Sequence, residues 1–245
     1  MTISTEPEPM DNIFTIKSGD ISRTMLVAAG QNAVESLGRR VCGFDVFAGD
    51  GFVRNMLIEE NAVADILVLV LPGQDANLDL RIEMAGQGAS CRLFGLYLCP
   101  DNERLSVNVG LVHKVGRCKS HQLFKGIVSG TSRTSFYGRI VVDSDAQVTE
   151  AYQENHNLLL SDTAKVDTMP QLEIYADDVK CSHGATIGKL NEDEQFYMRS
   201  RGIPESEAKV LQMVSFISPV LDILPDGEEK TRLASYVEHC VRTGF

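Results

Sequence analysis

Four stretches, CRLFGLYL at 91–98, HQLFKGIV at 121–128, RTSFYGRIVV at 133–142 and CSHGATIG at 181–188, share a loose plan of polar or small residues, an apolar pair and a glycine. A solenoid coil reads this way, because each turn repeats the needs of the turn beneath it. Upstream of them the chain alternates: in Leu78-Asp79-Leu80-Arg81-Ile82-Glu83-Met84 every second residue is apolar, so Leu78, Leu80, Ile82 and Met84 share one strand face. Further short apolar segments lie at 56–58, 66–71, 93–98, 105–112, 123–128, 136–142, 158–160 and 172–175, punctuated by Gly, Asn, Asp and Ser. That spacing predicts many short strands. No proline falls between Pro100 and Pro170, while glycine recurs at 110, 116, 126, 130 and 138, which suits a continuous hydrogen-bonded β structure with frequent turns. The expected fold is mainly β, a right-handed parallel β-helix, with a jelly roll or sandwich as the alternative that periodicity alone leaves open.

After Gly188 the pattern changes to helix. Pro204, Glu205 and Glu207 suit a first helical turn, and Val210, Leu211, Val214, Ile217, Val220 and Leu221 recur at three- and four-residue spacing. Pro219 is expected to kink or interrupt that helix, and Pro225-Asp226-Gly227 breaks the chain before a last helix with Leu233, Tyr236, Val237 and Val241. The expected organisation is a loose acidic lead-in over 1–12, a β-helix core over 13–190 and a C-terminal α-helical region over 191–245. The plain reading of the apolar stripes is packing on the end of the β domain; Leu211, Val214, Ile217 and Leu221 as a partner-binding face is the sharper one.

Composition narrows the function. The 245 residues carry 23 basic against 34 acidic side chains, a formal net charge of -11 that repels phosphate backbones and anionic membranes. The longest apolar run, Ile66 to Leu71, is too short to span a bilayer. The N-terminus, with Glu6, Glu8 and Asp11, lacks the basic and apolar regions of a secretory signal, so the expected address is cytoplasmic. The six cysteines at 42, 91, 99, 118, 181 and 240 form no CxxC pair, and five read as small buried hydrophobes. GxxxxGK[ST], GxSxG and HExxH are absent, and Gly86-Gln87-Gly88 lacks the third glycine of a dinucleotide fingerprint, so the chain is not expected to hydrolyse ATP.

Cys181-Ser182-His183 stands apart. An offset of two on a strand puts thiol and imidazole on one face, and a protonated imidazole lowers a thiol's pKa. The structural alternative is a packed pair. One thiolate and one imidazole are too few donors for an iron–sulfur cluster, which commonly takes four protein ligands, so any cluster would be shared across a subunit interface.

These residues sit in NLLLSDTAKVDTMPQLEIYADDVKCSHGATIGKLNEDEQFYMRSRGI, 157–203, which closely resembles the SufB/SufD family of iron–sulfur cluster assembly proteins. The resemblance runs from about His113 to Ile203, with NLDLRIEMAGQGASCRLFGLYL as a weaker continuation upstream. It implies a right-handed parallel β-helix followed by helices. It also implies a non-catalytic scaffold that pairs with a SufB-type subunit through the β-helices and binds a SufC-type ABC ATPase through its C-terminal helices. LEIYADDVKCSHGAT is the D-type pattern; the B-type's functional cysteine falls where this chain has Ile174, and its acidic residue after the histidine is Gly184 here. His183 then matches the D-type interface histidine, with Cys181 beside it, as ligands of a transient iron–sulfur cluster shared with the partner; no tightly bound cofactor is expected in the isolated chain. The resemblance also implies an additional N-terminal region before the β-helix, which is expected to be short or absent in this sequence, either as a truncation or as a compact member of the family.

Two other functions compete. A polysaccharide-acting β-helix enzyme would need clustered carboxylates, with Asp143, Asp145 and Glu150 the nearest candidates. A homodimer formed by the chain alone would use the surface meant for the partner.

Overall fold

A computed structural model describes residues 13–29, 40–48 and 51–245; the expected lead-in over 1–12 lies outside them. The chain winds two facing sheets. One carries, in order, β1 (Ile13–Ile16), β5 (Gly51–Ile58), β7 (Ala76–Met84), β9 (Arg104–His113), β11 (Arg133–Val142) and β13 (Lys165–Ile174). The other carries β14 (Val179–Gly188), β12 (Thr149–Leu159), β10 (Lys119–Val128), β8 (Ser90–Cys99), β6 (Val63–Val70), β2 (Ile21–Ala28), β4 (Phe44–Ala48) and β3 (Arg40–Val41). Every pairing is parallel except β3 with β4, a short antiparallel hairpin at the edge beyond β2. From β4 onward consecutive strands alternate between the sheets, and each turn stacks on the last, as the parallel solenoid reading requires. Three of the four opening stretches stack in one sheet as β8, β10 and β14; RTSFYGRIVV is β11 in the other.

Alternation decides which side chains enter the lumen. In β7 the residues buried are Ala76, Leu78, Leu80, Ile82 and Met84, with Asn77, Asp79, Arg81 and Glu83 outside. Their inward row joins Val107, Val109 and Leu111 of β9 and Phe136 and Ile140 of β11 in one core. Strand β6 departs from alternation, being buried from Ala64 to Val70. Its second face has its own cover: Leu67 and Leu69, with Leu96 and Leu98 of β8 and Ile127 of β10, pack beneath the C-terminal helices. A strand covered on both sides has no polar face to show.

Those helices are α1 (Glu192–Ser200), α2 (Glu205–Leu221) and α3 (Glu228–Gly244). Asn191 caps α1, its Oδ1 accepting from the backbone N–H groups of Asp193 at 2.9 Å and Glu194 at 3.1 Å. Met213, Ile217, Val220 and Leu221 of α2, with Leu233 and Val237 of α3, form a second core against the outer face of the eight-stranded sheet. Packing is thus on the flank of the solenoid, a correction to the expectation that the helices cover its end. Each fully buried leucine in this layer contributes about 1.5–3 kcal/mol. Lys125 on β10 ties the layer down, donating to the Phe216 carbonyl at 2.8 Å with its ammonium 4.7 Å from the Phe216 ring centroid. Pro219 neither interrupts nor ends α2, which runs to Leu221. The carbonyl of Ser215, which a proline four residues on cannot serve, accepts from the Ser218 hydroxyl at 3.0 Å.

One buried base makes stability pH-dependent. His113 closes β9 inside the lumen, its Nε2 2.9 Å from Ser120 Oγ, and burial pushes its pKa down to about 4. The unfolded imidazole titrates near ~6.5, so between those values the unfolded chain binds a proton that the folded chain refuses. Stability therefore falls as pH drops through that window, by about 2 kcal/mol at about pH 5. Urea unfolding of wild type and His113→Leu at neutral and mildly acidic pH checks this: the acid-induced loss should shrink in the variant, and an equal loss in both contradicts the assignment.

Candidate functional site

The last turn of the solenoid, β13 and β14, presents an unstacked side: β13 pairs with β11 alone and β14 with β12 alone. Cys181 and His183 lie on β14 in register with Ala151 and Gln153 of β12, both fully buried in the lumen. They therefore stand on the inward face of the terminal turn, as the offset of two predicts. The rows continue below: Cys181 follows Cys91, Ser120 and Ala151, and His183 follows Leu93, Gln122 and Gln153. Since no turn stacks above, His183 is exposed although it occupies a lumen position, and Cys181 is half-buried against the inner core. Met169, Ile174, Tyr175 and Ile187 on the same turn are exposed apolar side chains.

The electrostatics of the pair correct one expectation. Burial pushes the Cys181 thiol above its ordinary value, opposed by the backbone of Ala151, and His183 does not figure among the causes. The thiol, not the thiolate, is the resting form. The other cysteines, 42, 91, 99, 118 and 240, are free and buried, as read from the sequence. Among the described residues no group of three or more His, Cys, Asp or Glu side chains is arranged to hold a metal ion. Two donors at an open face can contribute to a cluster; they cannot enclose one.

Polar groups missed in the sequence lie beneath His183. The Gln153 amide donates from Nε2 to Gln122 Oε1 at 2.8 Å, both residues being fully buried. Next to them Asn157 donates to Asn155 Oδ1 at 2.7 Å, Asn155 donates to the Tyr97 hydroxyl at 3.2 Å, and that hydroxyl donates to Asn157. The solenoid repeat, counted back from His183 through 153 to 122, is the signal that locates the glutamines. On the outer face, Glu154 holds His156 Nε2 at 3.0 Å and stands 3.7 Å from His121 Nε2, and the His156 hydrogen bond depresses its carboxyl pKa. His156 Nδ1 meets Thr186 Oγ1 at 2.8 Å, anchoring the edge strand β14.

The four residues read as a partner face separate. Leu211 is exposed and Val214 half-buried, whereas Ile217 and Leu221 belong to the core beneath α2. Helix α1 buries none of its residues, leaving Phe196 72% and Tyr197 59% exposed. A groove of about 430 Å³ runs between α1, α2 and the sheet, lined by Leu158, Leu190, Met198, Leu211 and Phe216. As for a polysaccharide site, Asp143 is bound by Lys114 at 2.9 Å, Asp145 is a turn residue, and Glu150 lies on the outer face between Lys119 and Lys180. No helix among the described residues is long and apolar enough to cross a membrane.

Comparison with known proteins adds independent findings. The family described as "SUF system FeS cluster assembly, SufBD core domain" matches residues 53–216. The chain is 38% identical over 183 residues to the "Iron-sulfur cluster assembly protein SufD" of Escherichia coli (strain K12), covering 75% of this chain and 43% of that protein. It is 30% identical over 190 residues to an "Iron-sulfur cluster assembly SufBD family protein" of Mycobacterium bovis, covering 74% of this chain and 48% of the relative. It is 32% identical over 188 residues to "Protein ABCI7, chloroplastic" of Arabidopsis thaliana, covering 76% and 39%. The chain thus spans less than half the length of these relatives.

Proposed function

Because the chain belongs to the SufB/SufD family of SUF-system iron–sulfur cluster assembly proteins, we propose that it is a D-type scaffold subunit whose open solenoid end meets a SufB-type partner. The observation that carries this reading is the placement of His183 and Cys181 on the inward face of a turn with nothing stacked on it. Edge strands left unpaired invite another chain, and the exposed Met169, Ile174, Tyr175 and Ile187 supply apolar surface on the same turn. The cluster is cargo: this chain contributes an imidazole and, with less thiolate character, a thiol, and the partner completes the set. With no nucleotide motif in this sequence, energy is assigned to a SufC-type ATPase, and the expected setting is the cytoplasm.

Co-expression with a SufB-type subunit and the ATPase tests the assignment. A co-purifying complex that forms clusters under anaerobic reconstitution is expected; failure to form any complex refutes the reading. Light scattering of the chain alone, then with the partner, separates the homodimer alternative: the scaffold requires that any self-association be displaced.

The ATPase contact is assigned to α1 and the groove beside it, where Phe196 and Leu211 are exposed. Phe196→Asp with Leu211→Asp should leave folding stability within about 1 kcal/mol, since each surface substitution costs roughly 0.5 kcal/mol or less. The same pair should weaken ATPase binding by about 30-fold or more, the effect of losing one interface anchor worth about 2 kcal/mol. Titration calorimetry against the isolated ATPase reads the outcome, and unchanged affinity removes this face from the interface.

A further inference from the structure

The lumen beneath His183 holds an unused acceptor. Gln153 is fully buried, its Nε2 is committed to Gln122 Oε1 at 2.8 Å, and its Oε1 has no partner among the described residues. A buried amide oxygen left without a donor forfeits its water and receives nothing in exchange. Gln153 is directly in register with His183 on the neighbouring strand, and both occupy the inward face, so the two side chains are about one strand spacing of ~4.8 Å apart at their bases. The amide is also held in place from the opposite sheet. Gly138 of β11 faces it, and a Cβ there would overlap Gln153 Nε2 and lie 2.9 Å from its Cδ, so the amide occupies space that only a glycine leaves free.

We propose that Gln153 is a positioning residue for His183: its Oε1, which the imidazole does not engage in this structure, is the acceptor on which one ring N–H settles when His183 swings inward, turning the other nitrogen, with its lone pair, toward the open end of the solenoid. A neutral imidazole has one N–H and one lone pair, so engaging the first decides where the second points. A ligating histidine is commonly oriented by a fixed acceptor on its far nitrogen. Here the acceptor is fixed in turn by Gln122 and by the space at Gly138. The Gln122–Gln153–His183 row thus presents the imidazole in the tautomer that can bind iron. This deepens the reading of His183 as the cargo-facing residue and rests on it.

The test uses the whole chain labelled with ¹⁵N-histidine, at a pH well above the imidazole range. The wild-type chain should show one dominant His183 tautomer and a ring N–H with a cross-peak to the Gln153 side chain. Gln153→Met should lose the cross-peak and shift the ring nitrogens toward the free-histidine average, and Gln153→Glu, which keeps an acceptor, should retain a protected ring N–H. Gly138→Ala, which displaces the amide, should resemble Gln153→Met. Because Gln153→Met leaves the Gln122 amide oxygen without its donor, the double variant Gln122→Leu/Gln153→Met, with both polar partners gone, carries the test if the single variant misfolds. His183 nitrogen shifts identical in wild type and the folded variants overturn the proposal. Cluster assembly in the co-expressed complex is read separately with His183→Ala. If that variant is fully active while the tautomer still depends on Gln153, the cargo role of His183 fails and the positioning contact stands; the reverse pattern fails the contact alone.

Discussion

His183→Ala should leave the chain folded and abolish iron–sulfur cluster formation in the complex with its SufB-type partner and ATPase. The side chain is exposed on the last turn and makes no hydrogen bond or ion pair among the described residues, so its removal costs roughly 0.5 kcal/mol or less. For a chain of this size that moves the thermal midpoint by about 1–2 °C. The functional cost is of another order. Losing a group that merely orients a metal ligand already weakens metal binding ~10–100-fold, and losing the ligand itself should exceed that. Anaerobic reconstitution followed by visible absorbance and iron analysis reads the result. Cys181→Ala should be milder, because burial holds its thiol protonated. Full cluster formation with His183→Ala would remove the site.

Gly126→Ala, a single added methyl, should severely destabilise the solenoid wall. Gly126 lies on β10 in register with Tyr97 of β8 and Asn157 of β12, and an added Cβ would overlap ring atoms of Tyr97 and come within 2.6 Å of Asn157 Oδ1. Tyr97 has no free direction to retreat: the side chain is fully buried and its hydroxyl is engaged by Asn155 and Asn157. Forcing that shift costs about 3 kcal/mol, the upper part of the usual overpacking range. The midpoint should fall by about 6–12 °C. Tyr97→Ala empties the same space and should itself cost about 3–5 kcal/mol. Adding Gly126→Ala to Tyr97→Ala should then cost little more, since the methyl enters the vacated volume. Additive losses in thermal unfolding of the three variants would show that the ring is not what the methyl meets.

Strand β7 was readable because its two faces meet different solvents: Leu78, Leu80, Ile82 and Met84 line the lumen and the residues between them meet water. The same rule failed at β12. From sequence only its tail at 158–160 looks like a strand, yet it spans Thr149–Leu159, with Thr149, Gln153, Asn155 and Asn157 turned inward. Near the open end the lumen is itself polar, so alternation continues in burial and vanishes in hydropathy. Gln153 is unmarked in the sequence for that reason, while Cys181 and His183 stand out because their residue types carry chemistry wherever they point. Likewise the stripe on α2 announced a buried face. Leu211, Val214, Ile217 and Leu221 could not be sorted into partner-facing and core-facing until the helix was docked.

Local order was written in the chain: parallel strands from repeating apolar, glycine and turn positions, helices after Gly188, and a thiol and an imidazole two residues apart on one strand face. These depend on backbone periodicity and residue chemistry, which neighbours in sequence determine. Tertiary structure alone decided that the helices lie along the flank of the eight-stranded sheet, that Gln122 and Gln153 stand beneath His183, and that the last turn has no turn above it. Each of those follows from contacts across about thirty residues or more, where register between turns and the choice of covering layer are set by packing and hydrogen-bond satisfaction rather than by local propensity.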